Sequence, residues 1–157
     1  MAKVQIDIPM PAGKGVNRAE IARAVIEEIV ERTQNKSLNK DGKKLAAYSK
    51  TYRESLDFEL AGKTGKVNLT MTGDMLAALD ILEVQRRKAT IGIDGETEES
   101  DRAHGHITGA NNLPVRNFLG ISNRALARII AENSDLTQYR ALEFVRANYD
   151  NKQSERL

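Results

Sequence analysis

The sequence has no cysteine, no tryptophan and only two histidines. Disulfide bonds, thiolate nucleophiles and cysteine-ligated metal centres are therefore excluded. Aromatic residues make up only 4% of the chain, so the core must be built from the Ile, Leu, Val and Ala that dominate its hydrophobic fraction. No apolar run reaches the length of a membrane-spanning helix, and the first residues alternate in polarity, so we expect neither a membrane partner nor a secretory signal.

A strong charge of either sign is also missing, because 24 basic and 22 acidic residues leave a formal charge of +2. This balance argues against binding nucleic acid or an anionic membrane through the whole surface, so any basic surface must be a local patch. Two segments are candidates for such a patch, residues 36–50 and 86–88. Tyr48 and Tyr52 could stack on nucleic-acid bases beside the first of them.

The hydrophobic periodicity predicts one domain over residues 1–157. Alternation predicts a strand over Val4 to Ile8, and Asn17 with Glu20 three residues later caps a helix over Arg18 to Thr33. The face of this helix that carries Arg23, Glu27, Glu28, Glu31 and Arg32 is expected to be solvated. Two antiparallel strands are predicted over 80–87 and 89–94, and further helices over 73–79, 97–104, from 122 and over 137–149. The fold class is therefore α+β, with a small antiparallel sheet packed against the long N-terminal helix and the C-terminal helices.

Periodicity fades between the first helix and the later strands. A weak strand over Leu56 to Leu60 and a Gly62 to Lys66 turn predict a long extended arm or hairpin that projects from the domain over residues 36–66. A connection of this length inside a small domain is usually functional or mobile. The chain end, residues 150–157, is expected to be frayed.

The segment from Leu113 to Ser122 predicts a buried hinge between sheet and helix. Pro114 forces an extended backbone before it, apolar residues follow, and Ser122 can cap the next helix. Arg116 is the one charge of this segment, and a guanidinium among apolar neighbours needs a carboxylate or carbonyl partner. That partner lies either within the subunit or across an interface, and both alternatives stay open at this point.

The sequence offers no convergent set of reactive groups. His104 and His106 are separated by Gly105, and no second ligand cluster accompanies them, so we expect no metal site. Gly62-Lys63-Thr64 resembles the end of a phosphate-binding loop, but Asp57 stands where that motif needs its first glycine. No serine lies in the context of a nucleophile elbow. We therefore expect no catalytic residue and no cofactor.

Four short motifs follow one another along the chain: Gly42 to Leu45 leading to Tyr48 and Tyr52, Val67 to Leu76, His104 to His106 with Gly109, and Leu113 to Gly120. Their order and spacing matter most, above all a Thr-Gly-x-x-Leu element followed by a Pro-x-Arg-x-Phe-Leu element. Over about Gln34 to Ile130 the chain resembles the tailed-phage virion morphogenesis proteins, which are tail completion or neck proteins. Relatives often have proline where Asn117 stands.

The resemblance implies a non-enzymatic subunit that forms a ring, commonly a hexamer, in the neck of the virion after assembly in the host cytoplasm. Its partners would be copies of itself, the head connector or adaptor, the tail tube or tail terminator proteins, and DNA in the ring lumen. The candidate interface residues are Lys43, Lys44, Tyr48, Tyr52, Arg116 and Phe118. The alternatives are a tail terminator ring subunit that caps the tube and a small nucleic-acid-binding adaptor.

Overall fold

A computed structural model of the protein describes residues 4–47, 74–95, 97–110, 114–152 and 154. Within these ranges the chain forms five helices and one three-stranded antiparallel sheet, which confirms the predicted α+β fold. In chain order the elements are β1 (Val4–Pro9), α1 (Arg18–Lys36), α2 (Asp74–Ala77), β2 (Asp80–Val84), β3 (Lys88–Ile93), α3 (Glu98–Thr108), α4 (Asn123–Glu132) and α5 (Gln138–Asn148). None of these helices is both long and apolar enough to cross a membrane.

The sheet has the order β1, β3, β2, so the last strand in sequence lies in the centre. The β1 and β3 strands pair from Val4 opposite Ile93 to Pro9 opposite Lys88, and β2 and β3 form the predicted antiparallel pair. Helix α1 packs against β2 and β3, and α3 packs against β1. Because β3 has a strand on each side and a helix on one face, it is buried along nearly its whole length.

Helix α1 begins where its capping signal predicts. The Asn17 side chain accepts a hydrogen bond from the Glu20 backbone N–H at 3.3 Å. The helix runs beyond its predicted end at Thr33 to Lys36, and it stops there because Ser37 adopts a left-handed backbone with φ of 54°. Ile21, Val25 and Ile29 are completely buried on its inner face; this apolar stripe anchors the core.

The prediction that regular structure ends near His104 was wrong. Helix α3 starts after the Thr97 cap but continues through Gly105 to Thr108, and it ends at Gly109 with φ of 76°. A glycine inside a helix costs about 1 kcal/mol, which the neighbouring turns can offset. Gly109, rather than Gly105, is the helix terminator, because only Gly109 adopts the left-handed conformation.

Helices α4 and α5 form a hairpin, and α4 also packs against α1. Ser122 and Thr137 cap the two helices, and the predicted interruption near Ser134 separates them. Residues 114–121 join α3 to α4, so the predicted hinge connects two helices instead of a sheet and a helix. The second half of this connection is buried, and Phe118 and Ile121 are completely inaccessible to solvent.

Gly92 allows β1 and β3 to approach each other closely. A Cβ at this position would lie 2.1 Å from the Val4 carbonyl oxygen and 2.7 Å from the Gln5 Cα. Both are backbone atoms of the paired strand, so they cannot move without disturbing the sheet. We therefore expect Gly92→Ala to lower the free energy of unfolding in urea by about 3 kcal/mol.

Lys88→Ala on the same strand is the matched control. Its ammonium lies 3.7 Å from the Asp7 carboxylate, and both side chains are about half exposed. The control should lose less than about 1 kcal/mol. Equal losses of unfolding free energy in the two variants would show that the sheet does not depend on the close approach of the strands at Gly92.

Candidate functional site

The candidate site is the described beginning of the predicted arm, residues 37–47, which we call the basic loop. Two of the predicted interface residues, Lys43 and Lys44, lie on this loop, and both side chains are exposed. The loop leaves the end of α1 and leads to residue 48, where the described range stops. Its own conformation therefore determines where the remainder of the arm begins.

The basic loop folds back on itself. Leu38 and Lys44 form an antiparallel bridge, and the Asn39 N–H donates to the Lys43 carbonyl at 2.7 Å. The Asn39 side-chain oxygen accepts two further hydrogen bonds, from the Asp41 N–H at 2.9 Å and the Lys43 N–H at 3.0 Å. An asparagine that caps its own turn in this way fixes the backbone locally.

Arg32 fastens this loop to the core. Its Nη1 donates to the Gly120 carbonyl at 2.5 Å, its Nη2 donates to the Phe118 carbonyl, and its Nε donates to the Leu38 carbonyl at 3.3 Å. One side chain thereby joins α1, the basic loop and the connection between α3 and α4. With 7% of its surface exposed, Arg32 is buried, which contradicts the prediction that it lies on a solvated face.

Burial lowers the pKa of Arg32 to about 10, while Glu28, Tyr149 and Asp41 act in the opposite direction. The guanidinium is therefore still charged at neutral pH. Charge-assisted hydrogen bonds to carbonyl oxygens are stronger than neutral ones, and they offset the cost of removing the cation from water.

Arg116 holds the far end of the basic loop. Its Nε donates to the Ala46 carbonyl at 2.8 Å and its Nη2 to the Ala47 carbonyl at 2.9 Å. Its own backbone N–H donates to the His106 carbonyl at 2.6 Å. Of the two alternatives for Arg116, the structure shows the first, a buried arginine with carbonyl partners inside the subunit. Arg116 thus bonds Ala46 and Ala47, the last two residues of the described range 4–47.

The end of the chain supplies a third anchor. The Asn151 side-chain N–H group donates to the carbonyls of Lys40, at 2.9 Å, and Ile121, at 3.2 Å. Its backbone N–H donates to the Asn123 side chain at 2.6 Å. The Tyr149 hydroxyl accepts from the Ile121 N–H, and burial raises the pKa of this tyrosine. The expected fraying therefore does not extend to Asn151, which is buried.

Lys40 differs from the other lysines of the loop. A Cβ on Gly120 would lie 2.8 Å from the Lys40 Cβ, so the lysine stem covers this glycine. Its ammonium lies 3.2 Å from the Asp41 carboxylate, and its N–H donates to the Asn117 carbonyl. Lys40 is thus committed to the fold, whereas Lys43 and Lys44 face solvent.

The predicted interface residues separate into three groups. Lys43 and Lys44 are exposed and accessible to a partner. Phe118 is completely buried and Arg116 is 5% exposed, so both support the loop from within and offer no contact surface in this conformation. Tyr48 and Tyr52 lie outside the described residues, as does the predicted strand from Leu56 to Leu60.

Metal ligation finds no support in the described part of the chain, where no three His, Cys, Asp or Glu side chains form a group that could hold an ion. His104 and His106 both lie on α3. Residues two apart on a helix point in different directions, so the two rings do not converge.

Sequence reasoning missed Arg32, although a signal was present. Arg32 follows Ile29 by three positions and Val25 by seven, which places it on the apolar stripe of α1. A charged residue at such a position means either that the apolar stripe is wrongly assigned or that the cation bonds buried acceptors. Asn151 carries no comparable signal, because its partners are brought together only by the tertiary fold.

We expect Arg32→Met to lower the free energy of unfolding in urea by about 3 kcal/mol or more, because two buried carbonyl groups and one partly buried carbonyl group lose this donor. Arg32→Lys should lose less, since it retains one charged donor group but cannot reach all three carbonyls.

Arg23→Met on the same helix is the control, because among the residues that the structure describes its guanidinium bonds only the Glu20 carboxylate, at 2.8 Å between exposed side chains. It should change stability by less than about 1 kcal/mol. If Arg32→Met were no more damaging than this control, the loop would not depend on the Arg32 hydrogen bonds.

Comparisons of the chain with protein families, with curated proteins and with solved structures found no match. The likeness to the virion morphogenesis proteins therefore remains a resemblance that the sequence motifs alone carry.

Proposed function

We propose that this protein is a structural subunit of a tailed-bacteriophage virion, a tail completion or neck subunit that forms a ring joining the tail to the head connector. The motif resemblance supplies the class of protein. The structural observation that carries the proposal is the attachment of the basic loop, whose path is held at three places by Arg32, Arg116 and Asn151.

All three anchors bind backbone carbonyls of the loop. The donors contact the carbonyls of Leu38, Lys40, Ala46 and Ala47. These hydrogen bonds involve no side chain of the loop. The exposed side chains of Lys43 and Lys44 are therefore available to contact a partner. A loop whose backbone is fixed and whose basic side chains face solvent suits a subunit that acts by binding its neighbours.

Fixing the start of the arm also lowers the conformational entropy that is lost when the arm binds a partner. A segment that must be ordered on binding loses conformational entropy, and each immobilised part reduces the affinity that contacts provide. Hydrogen bonds within the single subunit already fix the basic loop, so the loop adds little of this entropy cost when it docks.

A ring with rotational symmetry also requires heterologous contacts, in which one surface of a subunit meets a different surface of its neighbour. In the proposed ring the basic loop and the arm that follows it form one of these surfaces. The subunit core forms the other.

The proposal predicts that the arm beyond the basic loop is needed for ring formation but not for folding. Replacing residues 48–66 by a Gly/Ser linker should leave the thermal unfolding midpoint nearly unchanged and abolish the ring in native mass spectrometry. The milder Tyr48→Ala/Tyr52→Ala variant should weaken ring assembly by about tenfold or more, because aromatic residues often dominate interface energetics.

Tyr139→Ala is the control, since this tyrosine is 74% exposed on α5, outside the arm. It should assemble like the parent protein. Cryo-electron microscopy of particles carrying each variant would test the location, with unjoined heads and tails expected for the linker variant. Normal rings and joined particles without residues 48–66, or particles that lack the protein, would refute the proposal.

A further inference from the structure

A second basic surface forms where the loop before α1 meets the turn between β2 and β3. Arg18 connects the two: its Nε donates to the Arg86 carbonyl at 2.7 Å, and its Nη2 lies 3.4 Å from the carbonyl oxygens of both Pro11 and Gly13. One guanidinium therefore holds both backbone segments. The bridge places the backbones of Gly13, which precedes Lys14, and of Arg86 on either side of the same guanidinium.

The turn itself is rigid. The Gln85 N–H donates to the Lys88 carbonyl at 2.7 Å, which leaves Arg86 and Arg87 as the two residues at the tip. The Met10 N–H donates to the Arg87 carbonyl at 2.9 Å and ties this tip to the preceding loop. All of these contacts use backbone carbonyls of the turn, so the side chains of Arg86 and Arg87 are not needed to hold it.

The positive charge of this surface is concentrated. The side chains of Lys14, Arg86 and Arg87 are exposed, and none of them forms an ion pair with a carboxylate from the described ranges. Carboxylates also border this surface: Asp135 lies beside Gly15, Glu143 lines a pocket with Pro11 and Ala12, and Glu83 lies 2.8 Å from the Gln85 side chain. The tip of the turn itself carries two adjacent positive charges, on Arg86 and Arg87.

We propose that Lys14, Arg86 and Arg87 form a binding site for the phosphate backbone of duplex DNA, and that Arg18 holds the two segments that carry them. Guanidinium groups present planar pairs of donors that match phosphate oxygens, and counterions released from DNA favour binding to clustered cations. The centre of a protein interface is mainly apolar and aromatic, whereas the tip of this turn has no apolar residue. Only the placement of this contact at a head-to-tail joint rests on the proposed function.

The test is DNA binding by the full chain, measured by fluorescence anisotropy with a labelled 30-bp duplex between 50 and 200 mM salt. About three phosphate contacts predict a slope of log K against log salt near −2.7. Arg86→Gln/Arg87→Gln should weaken binding at least tenfold at the lowest salt and reduce the slope by about two. The thermal unfolding midpoint should not change, because the turn is fixed through its carbonyls.

Arg124→Gln/Lys152→Gln is the matched control, since it removes the same charge from two exposed positions outside both basic surfaces. It should bind DNA like the parent protein. Three results would overturn the inference: no DNA binding by the parent protein, equal losses in the two double variants, or displacement of DNA by polyglutamate as effective as by unlabelled duplex.

Ring formation, followed separately by native mass spectrometry, keeps this inference distinct from the proposed function. A protein that binds DNA through Arg86 and Arg87 but never forms a ring would refute the proposed function alone. A ring that forms normally without affinity for DNA would refute only the DNA site.

Discussion

The rest of this structure depends on one buried cation, the Arg32 guanidinium, and on the carbonyls that surround it. Residues 114–121 have no regular secondary structure, yet their second half is buried, so their carbonyl oxygens need donors other than a neighbouring strand. Arg32 supplies donors to the carbonyls of Phe118 and Gly120. A buried cation needs hydrogen-bond acceptors, and the carbonyls of a buried irregular segment need donors. The guanidinium and the segment therefore satisfy each other.

The two buried arginines, Arg32 and Arg116, together link helix α1, the connection before α4 and the basic loop. Arg32 extends from α1 to the connection before α4, and Arg116 extends from that connection back to the end of the basic loop. The loop is therefore held through the connection, whose Phe118 side chain is completely buried in the core. A disturbance at the loop must break contacts of the core before the loop can move. We therefore expect the basic loop to resist local opening more than a surface loop without such anchors would.

Periodicity and capping were sufficient to predict β1, α1, the β2–β3 hairpin and the caps at Asn17 and Ser122, because these features depend on neighbours within a few residues. They failed at Gly105, where the helix tolerated an unfavourable residue. Of the candidate site, the sequence identified Lys43, Lys44 and Arg116 but not the geometry that relates them. Two of the carbonyls that Arg32 bonds are 86 and 88 positions away, and those that Asn151 bonds are 30 and 111 positions away. No local pattern encodes such distant partners.

The two basic surfaces are built by the same physical device. In each, one arginine bonds backbone carbonyls and fixes a loop, so that other cations on the loop remain free: Arg116 anchors the loop that carries Lys43 and Lys44, and Arg18 anchors the turn that carries Arg86 and Arg87. The free cations differ in chemistry. Lysines on flexible stems adapt to varied surfaces, whereas adjacent arginines present planar donor pairs that favour phosphate. The proposed docking surface accordingly lies on the basic loop, and the proposed DNA site lies on the hairpin turn.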